Sequence, residues 1–315
     1  MKNRRAFIVG INSTKLNNKE KIFLKKYKPW GIILFSRNIK SITQSKKLTD
    51  TIKDIFGDKK YPILIDQEGG RVNRLINIIN FENLTAEYFG NLFSMETKKF
   101  NIIYKLFIDK TSYLLKSIGV NINTVPVLDI RYKKASKVIG DRSYSNNKRI
   151  VSKIGDFCIR LFHENSIGTV IKHIPGHGLA KVDSHNYTPI VKKSLKYLKI
   201  NDFYTFKNKN SYFAMTGHVI YKNIDRLNTA THSKKIISLI RKNLGFKNII
   251  ISDDISMKSL KENVEINTIK AFNAGCNLVL HCNGNLKEMK IVGRNSPLIS
   301  KFIQKKTSQF YKILS

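Results

Sequence analysis

The stretch Ile249-Ile-Ile-Ser-Asp-Asp254 contains the pattern from which the fold is predicted. A run of β-branched apolar residues indicates a short buried strand, of the kind found in parallel sheets. Two carboxylates follow the apolar run after one serine. The predicted strand therefore carries acidic side chains at its carboxyl end.

Similar apolar runs recur along the chain, with helical patterns between them. Residues 154–162 and 236–244 have the spacing of amphipathic helices, and Gly245 follows the second at a C-cap position. About eight candidate strands alternate with helices, and no linker or repeat divides them, which predicts one (β/α)8 barrel domain over residues 1–315. A doubly wound open sheet is the alternative. The candidate strands are residues 6–9, 31–35, 63–65, 120–127, 169–172, 212–215, 249–251 and 278–280.

The composition is that of a folded protein with an unusual charge. Of the 315 residues, 42% are hydrophobic, which is ample for one large core and excludes disorder. The net charge of +35 raises nucleic acid as a partner. The lysines are scattered in short pairs along the whole chain and form no single arm. This indicates a composition bias, and we expect only weak, non-specific binding of polyanions.

The cysteines and the amino-terminal segment indicate the cellular compartment of the protein. Cys158, Cys276 and Cys282 form no C-x-x-C pair, which favours a reducing environment. The apolar run after Met1 stops at Gly10, too early for a signal peptide. No apolar stretch approaches the roughly 18 residues of a membrane span. We therefore expect a cytoplasmic monomer with no membrane partner.

Polar residues follow the predicted strands, where barrel enzymes place their chemistry. Carboxylates, cations and histidines at six strand ends are expected to converge on one mouth. These segments are 66–74, 126–129, 172–173, 215–218, 252–254 and 281–284.

The densest group is Lys172-His-Ile-Pro-Gly-His-Gly178, followed by Asp183-Ser-His185. The proline and glycines forbid a continuous helix and predict a loop. In an extended segment Asp183 and His185 point to the same side, so the carboxylate can orient an imidazole that exchanges protons near neutral pH. A purely structural Asp–His pair is the other interpretation.

Of the adjacent carboxylates Asp253 and Asp254, only one can easily face the barrel mouth. We assign the functional role to Asp253 and a capping or supporting role to Asp254. Asp66, Arg74, Arg142 and Lys172 supply opposite charges, which suit charge-assisted hydrogen bonds to a polar substrate. For Arg142 a surface salt bridge is the alternative.

With these residues in view, the sequence resembles the bacterial β-N-acetylglucosaminidases of glycoside hydrolase family 3, the single-domain enzymes of peptidoglycan recycling. The matching motifs run in the family order between about residues 6 and 285. They are Gly31-Ile-Ile-Leu-Phe-Ser-Arg-Asn38, Asp66-Gln-Glu-Gly-Gly-Arg-Val-Asn-Arg74, Pro126-Val-Leu-Asp129, Val138-Ile-Gly-Asp-Arg-Ser143, Lys172-His-Ile-Pro-Gly-His-Gly178 with Asp183-Ser-His185, Met215-Thr-Gly-His218, Ile251-Ser-Asp-Asp-Ile-Ser-Met257 and Ala274-Gly-Cys276.

The resemblance implies a barrel, no metal or cofactor, and a retaining double displacement on a small carbohydrate. It implies that Asp253 is the nucleophile, that His185 is the acid/base and that Asp183 positions this histidine. The same resemblance implies a set of sugar-binding residues. They are Asp66, Arg74, Arg142, Lys172 and His173.

Three other interpretations stay open at this point. A histidine acid/base lacks the negative charge of a glutamate, so phosphate could replace water as acceptor. A metal-dependent hydrolase would use His173, His177, His185 and Asp253. A basic nucleic-acid-binding protein would show strongly salt-dependent binding.

Overall fold

The computed structural model describes residues 1, 3–133, 135–184 and 187–314. The strands of this part of the chain are β1 (Arg5–Gly10), β2 (Pro29–Leu34), β3 (Ile63–Ile65), β4 (Ile122–Asn123), β5 (Gly168–Ile174), β6 (Ile190–Val191), β7 (Phe213–Thr216), β8 (Ile220–Tyr221), β9 (Ile249–Asp254) and β10 (Leu278–His281). The helices are α1 (Asn18–Tyr27), α2 (Ile42–Phe56), α3 (Ala86–Met95), α4 (Thr97–Ser117), α5 (Lys148–Glu164), α6 (Leu195–Ile200), α7 (Lys234–Lys242), α8 (Val264–Ala274), α9 (Leu286–Asn295) and α10 (Lys301–Tyr311).

Eight of the strands close into a barrel in the order β1-β10-β9-β7-β5-β4-β3-β2. All neighbouring pairs are parallel, and the helices connect them along the outside. This confirms the predicted (β/α)8 barrel and excludes the open doubly wound sheet. Strands β6 and β8 form a separate two-stranded sheet that the sequence did not predict.

The fourth strand is shorter than predicted. Residues 120–127 were expected to form one strand, but only Ile122–Asn123 is regular. Pro126 has no N–H to donate, so the ladder breaks there. It resumes as a single bridge between Val127 and Lys172.

Two other strands extend well past their predicted carboxyl ends. Strand β5 continues to Ile174 and β9 continues to Asp254. The expectation that Lys172 and His173 open a loop, and that Asp253 follows its strand, was therefore wrong. These side chains stand on the strand ends themselves, which hold them more rigidly than a loop would.

The two predicted amphipathic helices are confirmed as α5 and α7. In α5 the residues Ile154, Cys158, Leu161 and Phe162 are buried against the barrel. Helix α7 ends at Lys242, slightly before the glycine that was expected to cap it.

Apolar side chains fill the barrel interior and the layer between strands and helices. Helix α10 covers the amino-terminal end of the barrel. The Phe310 ring lies 5.3 Å from that of Phe213, and Trp30 donates a buried 2.9 Å hydrogen bond to Thr307. The opposite end carries the polar strand termini. Among the described residues, no helix has the length and apolar character that crossing a membrane requires.

Candidate active site

A cavity of about 650 Å³, including its open mouth, lies at the carboxyl ends of the barrel strands. Charged groups and apolar side chains share its wall. The lining residues are Asp66, Glu68, Val72, Arg74, Val138, Ile139, Arg142, Lys172, His173, His177, Ser184, Met215, Asp253, Met257, Leu280 and Cys282.

Asp66, just after β3, is held by neighbours from three directions. Its Oδ1 accepts hydrogen bonds from Thr124 and, at 2.9 Å, from the Nζ of Lys172. Arg74 approaches its Oδ2 at 3.6 Å. Burial raises the pKa of Asp66, but the charges of Lys172 and Arg74 outweigh it and hold the pKa well below its usual range. The carboxylate is therefore ionised and accepts hydrogen bonds only.

Glu68 binds two cations at once. Its carboxylate accepts from Nε and an Nη of Arg142 at 2.8 Å each, and lies 2.6 Å from the Nζ of Lys172. Burial raises the Glu68 pKa, but Arg142 and Lys172 bring it down to about 2. Glu68 raises the pKa of Arg142 in turn, against the effect of burial. The side chain of Arg142 is only 12% exposed, which excludes a surface salt bridge.

Lys172 and His173 both line the cavity although side chains of adjacent strand residues normally alternate. The register of β5 against β7 shifts between Lys172 and Ile174. This irregularity places two consecutive side chains on the same site.

Asp129 orients the imidazole of His173. This fully buried carboxylate accepts from Nδ1 of His173 at 2.7 Å and from its backbone N–H at 3.2 Å. Its other oxygen accepts from the backbone N–H of His177 at 2.6 Å. Burial raises the Asp129 pKa, but the His173 charge and hydrogen bond lower it overall. With Nδ1 engaged, Nε2 is the His173 nitrogen that can serve a ligand.

His177 lies beside His173, with ring centroids 5.6 Å apart. Neither of its ring nitrogens has a hydrogen-bond partner among the described residues. Burial, and then the charge of His173, lowers the His177 pKa to about 4. The ring is therefore neutral at physiological pH.

The adjacent carboxylates at the end of β9 have different surroundings. Asp253 lines the cavity and accepts a 2.8 Å hydrogen bond from the backbone N–H of Asp254. Burial raises its pKa, but the charges of His218 and His173 bring it below its usual value. Asp253 is therefore ionised at neutral pH, as a nucleophile must be.

Asp254 supports the strand ends through its hydrogen bonds. It accepts from the N–H and hydroxyl of Ser256 and from the backbone N–H of Cys282. It thus connects the ends of β9 and β10. It does not cap the next helix, whose N-cap is Asn263.

The structure brings six of the predicted site residues to one cavity, namely Asp66, Arg74, Arg142, Lys172, His173 and Asp253. His185, the predicted acid/base, lies outside the described residues. Asp183 lies in the loop after β5, where its carbonyl accepts from the N–H of Tyr187 at 2.9 Å. Its neighbour Ser184 lines the cavity, which brings this loop to the site.

Three contributors were not among the predicted site residues. Glu68 and Asp129 both belong to quoted strand-end motifs, so a carboxylate at a strand end was the available signal. His218 is buried, with ring nitrogens 2.7 Å from Thr231 and 2.9 Å from the carbonyl of Asp254. A positive charge on its ring lowers the pKa of Asp253.

Comparisons with known proteins identify the family. The model of the glycosyl hydrolase family 3 N-terminal domain matches residues 5–304. The chain is 31% identical over 265 residues to a beta-hexosaminidase of Methylobacillus flagellatus, covering 80% of this chain and 73% of the relative. It is 33% identical over 289 residues to a beta-hexosaminidase of Haemophilus ducreyi, covering 88% and 80%.

A solved structure is similar over nearly the whole chain. NagZ from Neisseria gonorrhoeae, crystallised in complex with N-trifluoroacetyl-D-glucosamine, superposes with a TM-score of 0.87 at 25% identity. The match covers 99% of this chain and 90% of that one.

The barrel, its polar mouth and these matches define a glycoside hydrolase. The chain belongs to glycosyl hydrolase family 3, and within it to the β-N-acetylhexosaminidases. The resemblance drawn from the sequence motifs is confirmed.

Proposed function

We propose that this enzyme removes terminal, non-reducing β-linked N-acetylglucosamine from peptidoglycan fragments during cell-wall recycling in the cytoplasm. The substrates are N-acetylglucosaminyl-anhydro-N-acetylmuramic acid and its peptides. Its similarity to a NagZ that binds an N-acyl glucosamine supports an amido sugar as the bound unit.

One observation carries the proposal. The ionised carboxylate of Asp253 stands on a rigid strand end, in the same cavity as the charged groups of Asp66, Arg74 and Lys172. A sugar held by these groups presents its ring to Asp253. Asp253 attacks the anomeric carbon and the bond to the departing sugar breaks, which gives a glycosyl-enzyme with inversion at that carbon. Water then displaces Asp253 with a second inversion, so the configuration is retained overall.

His185 moves the proton in both steps. It gives its proton to the oxygen of the departing sugar, and later takes a proton from the attacking water. Asp183 positions it and stabilises its charged form. Because an imidazole carries no negative charge after donating its proton, an anionic acceptor is repelled less than it would be by a glutamate. Phosphate is therefore the competing acceptor.

The sugar is held by groups with distinct hydrogen-bonding capacities. Asp66 accepts from hydroxyls, and Arg74 donates to them, since its ion pair with Asp66 is long at 3.6 Å. Lys172 already interacts with Asp66, Thr124 and Glu68, so it mainly sets the orientation of Asp66. His173 contributes Nε2. Arg142, fixed by Glu68, contributes the guanidinium protons that Glu68 leaves unused.

The first test is hydrolysis of a chromogenic N-acetyl-β-glucosaminide by the purified protein, with EDTA present and the matching β-glucoside alongside. Turnover of the amido sugar alone is expected. Proton NMR of the first product should show the β anomer, which establishes retention. Activity lost to EDTA would favour the metal-dependent alternative, and an α product would contradict the double displacement.

Two further measurements define the substrate and acceptor. Anhydro-muropeptides with and without the peptide should be cleaved faster than chitobiose; preference for chitobiose would contradict the recycling role. Sugar 1-phosphate in phosphate buffer would make the enzyme a phosphorylase. We also propose that the chain acts as one catalytic domain, as a monomer without a specific nucleic-acid partner. Sedimentation velocity and an oligonucleotide titration at varied salt test this.

A further inference from the structure

Helix α4 carries a row of apolar side chains that the barrel does not bury. Ile102, Leu106 and Tyr113 are 64%, 62% and 62% exposed. At 3.6 residues per turn they fall within an arc of about 40° on the helix surface. The opposite face of α4 packs on the core through Phe100 and Tyr104, so the exposed row is not required for folding.

Lysines border this row on both sides, and all of them are exposed. With about 100° between successive residues, Lys99 and Lys110 flank one edge. Lys98, Lys105 and Lys116 flank the other. Asp109, which lies on the row, pairs with Lys105 at 2.5 Å. Within the described part of the chain, Lys98, Lys110 and Lys116 form no ion pair, and the ammonium of Lys110 lies 5.8 Å from the centroid of the Tyr113 ring. The charges of Lys98 and Lys116 are therefore available to a partner.

We propose that α4 docks this protein on an anionic lipid bilayer, with Ile102, Leu106 and Tyr113 entering the interfacial layer and the flanking lysines on lipid phosphates. An apolar row bordered by lysines has the composition of an interfacial helix. The long lysine stems reach along the apolar surface while the ammonium groups stay in water. The apolar row alone would insert only weakly, and the lysines alone would give only electrostatic attraction. Together the two contributions reinforce each other.

The charge pattern favours lipid over the other possible occupants of this face. Two copies of α4 would bring like-charged lysine borders together. Nucleic acid would accept the lysines, but the aliphatic Ile102 and Leu106 offer it neither stacking nor hydrogen bonds. An anionic bilayer accommodates the apolar row in its interfacial layer and binds the lysines through its phosphates.

This inference departs from the expectation of no membrane partner, which rested on the absence of a spanning segment and on the scattered lysines. The helix periodicity collects five of those lysines around one apolar row. Helix α4 lies on the side of the barrel, so docking leaves the mouth at the strand ends open to substrate. The docking is independent of the hydrolase chemistry.

The test is co-sedimentation of the full chain with phosphatidylcholine vesicles, with and without 30% phosphatidylglycerol. Binding is expected only to the anionic vesicles and should weaken with salt. The row variant is expected to bind at least ten-fold more weakly than the wild type. It carries the substitutions Ile102→Ser, Leu106→Ser and Tyr113→Ser. Its control, which replaces three exposed apolar residues from elsewhere, should bind like the wild type. The control carries Ile22→Ser, Leu227→Ser and Leu298→Ser.

A second pair of variants separates this surface from the overall charge of +35. Removing three α4 lysines should weaken binding more than removing three exposed lysines elsewhere. The α4 variant carries Lys98→Gln, Lys110→Gln and Lys116→Gln, and the control carries Lys19→Gln, Lys222→Gln and Lys290→Gln.

Three outcomes would overturn the proposal. One is no binding to anionic vesicles at low salt. Another is an equal loss of vesicle binding in a variant and its control, which would mean non-specific adsorption. The third is a dimer in sedimentation velocity that the row variant abolishes, which would assign the face to a second copy. Hydrolysis of the chromogenic substrate should be unchanged in the row variant, which shows that it is folded.

Discussion

Glu68 holds the guanidinium of Arg142 through both carboxylate oxygens, at 2.8 Å each, across 74 residues of sequence. The same carboxylate lies 2.6 Å from the Nζ of Lys172. One buried anion therefore sets the positions of two cations on the wall of the cavity. Because the Glu68 pKa is depressed to about 2, this arrangement also couples folding to acid.

Replacing Glu68 by glutamine should damage binding more than chemistry. Glu68→Gln leaves Arg142 and Lys172 without their shared anion, so we expect KM to rise about ten-fold with a smaller change in kcat, and stability to fall by about 3 kcal/mol. The stability contribution of Glu68 is present above its ordinary pKa of 4.5 and is lost as pH falls toward 2. Denaturation curves from pH 7 to 3 should therefore be flatter for the variant. Exposed Glu82→Gln is the control, and an unchanged KM would contradict the positioning role.

The two carboxylates of β9 should differ sharply when neutralised. Asp253→Asn removes the nucleophile with little change of shape, so kcat should fall by roughly 10⁴-fold with folding intact. Asp254→Asn weakens the hydrogen bonds that hold the ends of β9 and β10 together but leaves the nucleophile in place. The fall in kcat should therefore be far smaller. Steady-state kinetics compares kcat in the two variants, and circular dichroism compares their folding. If Asp253→Asn keeps substantial activity and Asp254→Asn does not, the assignment is reversed.

The role of His185 can be tested through the leaving group. A good leaving group needs no proton, so His185→Ala should lose little glycosylation rate on an activated aryl glycoside and about 10²–10⁴-fold on a disaccharide. Pre-steady-state rates on the two substrates give the ratio. Equal losses on both substrates would argue against a proton shuttle.

Asp129 is expected to act through His173. Asp129→Asn replaces the acceptor of the Nδ1–H bond with a group that can donate, which disturbs the imidazole tautomer. We expect affinity for N-acetylglucosamine to fall about ten-fold, and stability to fall by about 2 kcal/mol through the lost charge-assisted bonds. Calorimetric titration measures the affinity. A stability loss with unchanged affinity would leave Asp129 a purely structural residue.

Asp202 should make the protein less stable as pH rises from about 4 to about 7. Burial raises its pKa from 3.8 to about 7, although Tyr132 donates a 3.0 Å hydrogen bond to it. Between these values the folded protein keeps a proton that the unfolded chain releases, so stability falls with increasing pH. Asp202→Asn should remove this pH dependence. The total change in the free energy of unfolding amounts to at most about 4 kcal/mol. Chemical denaturation at pH 5 and pH 7.5 measures it; an identical slope in the variant would refute the assignment.

The sequence by itself determined the barrel and the location of its site. Runs such as residues 63–65 and 249–251 are apolar and rich in β-branched residues, which favours short buried strands, and polar residues after parallel strands meet at one edge. Their places at predicted strand ends singled out Asp253 and Asp66, and the family motifs then implied the roles of nucleophile and sugar-binding residue. Local preference and chain order suffice for these conclusions.

The tertiary structure alone decided which charges meet. The partners Glu68, Arg142 and Lys172 come from different strand ends, and their pairing depends on barrel closure and register, which no local pattern encodes. The register shift in β5 that places Lys172 and His173 on one cavity is of the same kind. So is the burial that neutralises His177, because a pKa depends on what surrounds a group in space rather than on its neighbours in the chain.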